Sequence, residues 1–143
     1  MNYLFLLLAF FSYRNTSLEP VDLLEEYAEK PAQLTFIGCK AGTGQTLLEA
    51  EYMVSGKDAR TVEDFLVDRY GLGEMTFTCC GWESKDGKNG SIENAELKQQ
   101  FPNYILDISM YGHAEIADEN GDIYLEKDRE KIVFYVTVKL LDI

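Results

Sequence analysis

The chain has 143 residues, 46% of them hydrophobic and 13% aromatic, with a formal net charge of −12 and a pI near 4.4. That length suits one domain, and that apolar share supplies a core, so a disordered resting state is excluded. The acidic balance argues against binding to nucleic-acid phosphates or an anionic membrane surface; it would attract a basic protein partner, or serve only to keep a small protein soluble.

The first feature in chain order is the unbroken apolar run Leu4 to Phe11. Eight residues are too few to cross a hydrocarbon layer of about 30 Å. Placed this early, the run reads as the core of a secretory signal peptide over residues 1–18, ahead of one domain at 19–143. Periplasmic or secreted is therefore the expected location, with no membrane contact in the mature form. No Lys or Arg precedes the run, and no A-x-A site follows it. Those two departures keep a buried strand or helix, and a cytoplasmic protein, as the alternative.

Residues 20–30 read as a helix. Pro20 suits its first turn, acidic Asp22, Glu25 and Glu26 suit its positive end, and Pro31 ends it. Gln33 to Cys39 alternates as a strand, and Ala41-Gly42-Thr43-Gly44 forms a tight turn. Gln45 to Ser55 returns as a second strand, with Leu48, Ala50, Tyr52 and Val54 on one face and Glu49, Glu51 and Met53 on the other. That pattern describes a hairpin with one wet face. Asp58 to Tyr70 reads as the second helix, with Val62, Phe65, Leu66 and Arg69 along a stripe and Gly71 at its end. Glu74 to Cys80 reads as a strand, followed by a polar, glycine-rich loop from Gly81 to Gly90 around Trp82. Tyr104 to Tyr111 and Lys131 to Leu141 complete the strands, the latter with Ile132, Phe134, Val136, Val138 and Leu140 on one face. Asn120-Gly121 marks a hairpin turn. The order α-β-β-α-β-β-β predicts an α+β fold: an antiparallel sheet of about five strands with two helices on one face.

Motifs that carry chemistry fall away one by one. Cys39 to Thr46 superficially suggests a phosphate loop, but Cys39 stands where the first glycine belongs and Gln45 where the lysine belongs, and a strand follows. His113 is the single histidine and has no local nucleophile. Glu49 and Glu51, with Asp107 on another strand, read as a solvated face rather than an acid–base pair. Asp118 to Asp122 lacks calcium-loop spacing, and adjacent Cys79 and Cys80 do not suit a zinc site. No catalytic residue, cofactor or metal is expected.

In an oxidising compartment one disulfide is expected. Consecutive strand residues point apart, so Cys39 pairs with either Cys79 or Cys80; a Cys79–Cys80 link is the remaining, strained option. Trp82 and Glu83 in their loop, with Glu49 and Glu51 on the wet face, are the candidate partner-binding residues, although Trp82 folding back over the core is an equal reading. The expected role is a non-enzymatic binding module, inhibitor- or immunity-like, with a thiol protein using the unpaired cysteine as the alternative.

The blocks Gly38-Cys39-Lys40-Ala41-Gly42-Thr43-Gly44-Gln45 and Thr78-Cys79-Cys80-Gly81-Trp82-Glu83 resemble a family of uncharacterised, exported, small bacterial proteins with GC-x-x-G-x-GQ and CCGWE signatures. The resemblance implies export and a bacterial host. It implies no activity.

Overall fold

A computed structural model describes residues 18–143. The apolar run Leu4–Phe11 lies outside the described residues. Alternating polarity dictates the frame. Strand β1 (Thr35–Ala41) turns through Gly42 to Gly44 into β2 (Thr46–Ser55), and helix α2 (Gly56–Tyr70) follows without a loop. Gly56 makes that junction possible, because any Cβ there would collide with the backbone at Arg129 and Ile132. Gly71 closes the helix in the left-handed conformation at φ 74°.

Strands β3 (Met75–Thr78) and β4 (Gly81–Ser84) form a hairpin, followed by β5 (Gly90–Ile92) and the short helix α3 (Ala95–Gln100). The long strand β6 (Tyr104–His113) leads into a small hairpin, β7 (Glu115–Ala117) and β8 (Ile123–Leu125), before β9 (Val133–Asp142). The main sheet has seven strands in the order β1-β2-β9-β6-β4-β3, with β5 also on β6. All its pairings are antiparallel. The fold is therefore α+β around an antiparallel sheet, as expected. Strands β4, β5, β7 and β8 are additional to the expected set, while helix α3 falls in residues 91–100, a polar stretch that also reads as a short helix. Strands β4 and β5 lie in and at the end of the Gly81–Gly90 stretch, whose glycines and charges read as loop.

One face of the sheet is buried. Leu48, Ala50, Tyr52 and Val54 of β2, Leu106, Ile108 and Met110 of β6, and Phe134, Val136, Val138 and Leu140 of β9 form a single core. Each such aliphatic or Phe side chain contributes about 1.5–3 kcal/mol by leaving water. Helix α2 adds Ala59, Val62 and Leu66, and α3 adds Leu97. The buried stripe of α2 runs one step away from the expected one: Glu63 lies inside it, while Arg69 is exposed and stacks on Phe65 at 5.4 Å.

The first helix, α1 (Leu23–Tyr27), is five residues rather than eleven. A side-chain contact positions it. The buried Tyr52 hydroxyl accepts from Leu24 N at 2.9 Å and donates to Asp22 at 2.7 Å. Asp22 also caps the helix through Glu25 N and pairs with Lys30. Tertiary hydrogen bonds thus hold a segment too short to be helical by itself.

Candidate functional site

The helices cover one face of the sheet, and the opposite face presents its alternate residues outward. Antiparallel register arranges them in rows. Lys40 of β1 faces Glu49 of β2, which faces Lys139 of β9, which faces Asp107 of β6. Glu49 lies 3.6 Å from Lys40 Nζ and 3.9 Å from Lys139 Nζ. The next row runs from Glu51 through Thr137 to Ser109. The third runs Met53, Tyr135, Tyr111, Glu83. Tyr111 and Tyr135 stack with centroids 5.5 Å apart, and His113 meets the edge of Tyr111 at 5.2 Å.

This surface is acidic and aromatic at once. Among the described residues, Glu51 has no cation within ion-pair distance. Burial pushes the Tyr111 hydroxyl above its ordinary pKa, and the charge of Glu51, Tyr135 and Glu49 adds to the rise. Asp107 is also raised: its burial outweighs the hydrogen bond from Asn89 and the attraction of Lys139. Partial burial is the largest cause of both shifts.

The expected binding residues divide between the two faces. Glu49, Glu51 and Glu83 share the open face. Trp82 does not join them. It lies in strand β4, not in a loop, opposite Gly112 on the covered side. Its ring packs against Phe77 at 5.6 Å and under the Arg129 guanidinium at 5.0 Å. The period of two explains the division, because Trp82 and Glu83 are consecutive and must face apart. Tyr111 and Tyr135 went unnoticed in the sequence, although their odd-numbered spacing with Asp107 and Lys139 was the available signal.

The cysteines correct a second expectation. Cys39 lies on edge strand β1, while Cys79 and Cys80 form the turn between β3 and β4 at the far side of the sheet. Four strand spacings of about 4.8 Å separate β1 from β4, and a disulfide needs Cα atoms within about 7 Å. A bridge from Cys39 to either partner does not fit this fold. Cys79 and Cys80 lie side by side in that turn, and Cys39 stands apart, half-buried.

Two depressions flank these features. One of about 240 Å³ is lined by Ile37, Cys39, Lys40, Glu49 and Glu51 at the β1 edge of the open face. The other, about 570 Å³, lies between α1, α2 and the segment before α3. It is spanned by the Arg69–Glu29 ion pair at 2.9 Å and by the Tyr70 hydroxyl, which bonds both backbone groups of Glu29. Among the described residues, no group of three or more His, Cys, Asp and Glu is placed to hold a metal ion. None of their helices is long and apolar enough to cross a membrane.

Residues 13–82 match the family model DUF4952, a domain of unknown function. The match runs through both hairpin strands, α2 and the Cys79–Cys80 turn. No curated protein and no solved structure matches the chain.

Proposed function

We propose that the protein is a non-catalytic, inhibitor- or immunity-like binding module that offers the open sheet face to a basic partner. Glu51 carries this reading: a half-buried carboxylate with no cation within ion-pair distance among the described residues, beside a Tyr111–Tyr135 stack, in the middle of a paired strand. Tyrosine and a pre-placed carboxylate suit a partner's Arg or Lys, and the net charge of −12 speeds the encounter. Its setting is the periplasm or the outside of the cell, reached through the apolar N-terminal run; the N-terminal mass of the mature protein tests that. Binding is tested by chemical cross-linking in the native host. The parent should trap a basic protein in a salt-sensitive complex, and Glu51→Lys with Tyr111→Ala should lose it. Equal trapping by the parent and that variant sinks the reading.

A second reading is a thiol protein acting through Cys39. Its support is the position of Cys39 outside the Cys79–Cys80 pair and against the depression that Lys40 borders. Native alkylation that leaves Cys39 unlabelled ends it.

A further inference from the structure

Cys79 and Cys80 occupy the two connecting positions of the β3–β4 hairpin, where Thr78 pairs with Gly81. Gly, Asn and Asp dominate such turns because the backbone there requires positive φ. Here Cys79 supplies it, at φ 53°. Cys80 N–H donates back to Thr78 O at 2.7 Å. That three-residue closure around a positive-φ residue is a rare and strained turn. Cysteine has no conformational advantage at this position over glycine, so its chemistry is the distinguishing property.

Accessibility and adjacency point the same way. Cys79 is exposed and Cys80 is half-buried. They are consecutive in the chain, so each sulfur is within reach of a bond held by the other without any other part of the fold moving. We propose that the Cys79–Cys80 turn is a reversible thiol–disulfide exchange site whose co-substrates are small disulfides and thiols of the glutathione class.

The exchange balances in two steps. The exposed Cys79 thiolate attacks one sulfur of the small disulfide, forming a mixed disulfide and releasing one small thiolate. The Cys80 thiolate then attacks the Cys79 sulfur, closing the Cys79–Cys80 bond and releasing the second. The protein loses two electrons and two protons, and the small disulfide becomes two thiols. Two small thiols drive the reverse.

The turn is wired to the rest of the fold. Cys80 O accepts from Ala114 N at 3.0 Å, fixing the hairpin to the end of β6. Two residues on, Trp82 lies under Arg129. It is the chain's single tryptophan, so opening and closing the turn should register in its emission.

The test uses the Cys39→Ser chain, reduced and then equilibrated in glutathione buffers of graded ratio. Acid quenching, alkylation and peptide mass follow. As the ratio becomes more oxidising, both thiols of the 79–80 peptide should pass together from alkylated to unlabelled, with loss of two hydrogens and no added glutathione. Fresh reductant should restore them, and Trp82 emission should track the change. A Cys80→Ser variant should stop at the glutathione adduct on Cys79. If Cys39→Ser is poorly folded, the same peptide is read in the unsubstituted chain, where Cys39 falls on another fragment. Thiols alkylated at every ratio, adducts on both cysteines without closure, or a closed pair that glutathione cannot reopen would each overturn the exchange site. Emission that ignores the transition would overturn its link to Trp82.

Discussion

Arg129 reaches Glu63 on the covered side of the sheet, its Nη2 lying 2.7 Å from the carboxylate, with the two side chains only 11% and 2% exposed. The guanidinium is held between the rings of Trp82 and Phe134, each 5.0 Å away. The other Glu63 oxygen accepts from Met75 N at 2.7 Å. One carboxylate therefore joins α2, the start of β3 and the turn before β9. Removing Arg129 takes away the buried cation and leaves Glu63 only the largely exposed Arg60 at 3.6 Å, so the loss approaches the roughly 3–5 kcal/mol of a broken buried pair. Urea unfolding should show a loss of that size for Arg129→Ala. The apolar pair Glu63→Leu with Arg129→Met should cost less than Arg129→Ala alone.

Tyr52 plays the comparable part for α1. Its hydroxyl is the acceptor for the buried Leu24 N–H and a donor to Asp22. Tyr52→Phe preserves the ring and its packing on Phe36 but strands that N–H, so about 1–3 kcal/mol should be lost. Hydrogen exchange should localise the loss to residues 22–28, with α2 amides little changed.

Asp22 gives that clasp a pH dependence. Burial alone would raise its pKa, but hydrogen bonds from Lys30, Tyr52 and Glu25 N together pull it below the ordinary value of 3.8. The unfolded chain then binds the proton more readily than the folded one. Asp22 therefore contributes stability that is complete above its unfolded pKa and is lost as pH falls through the lower folded one. Asp22→Asn should be less stable than the parent at neutral pH, and the gap should narrow on acidification below pH about 4. A gap independent of pH over that range would contradict the assignment.

Asp107 behaves in the opposite sense. Its pKa is raised, chiefly by burial, so the folded state holds the proton longer. Stability should fall as pH climbs from the unfolded pKa through the folded one, and the ionised form is the disfavoured one at neutrality. Asp107→Asn keeps a partner for Asn89 and removes that cost. It should raise the melting temperature at pH 7 and have no benefit at pH 3.

These effects differ in how plainly the sequence announced them. Period-two alternation placed Tyr52, Phe134 and the β9 stripe in the core, and located Glu49 and Glu51 on the wet face, because burial of one face leaves that mark directly. The long strands were legible for the same reason, and the β1–β2 turn through its glycines; α2 starts at Gly56 rather than Asp58, because it follows β2 directly at Ser55. Strands β4 and β5 were not. They are short, rich in glycine and charge, and form because β6 offers an edge to pair with, which is information carried by distant residues. The Glu63–Arg129 pair was hidden for a similar reason: a lone Glu inside a helix looks solvated until its partner, far along the chain, folds over it. That Cys39 stands too far from Cys79 and Cys80 to bridge them became evident only from the strand order.

The open face makes one further electrostatic prediction. Tyr111 has its pKa raised first by burial and next by Glu51. Neutralising Glu51 removes the second cause and leaves the first. In Glu51→Gln, Tyr111 should therefore ionise at lower pH than in the parent while staying above the ordinary tyrosine value of 10.0. A carbon-13 titration of ring-labelled tyrosine resolves it from the other rings. The same substitution removes the carboxylate proposed to meet a partner's cation, so it should weaken partner binding without unfolding the sheet. An unmoved Tyr111 titration would mean that solvent screens the two groups, and the open face would then lack the charge coupling on which charge-selective binding depends.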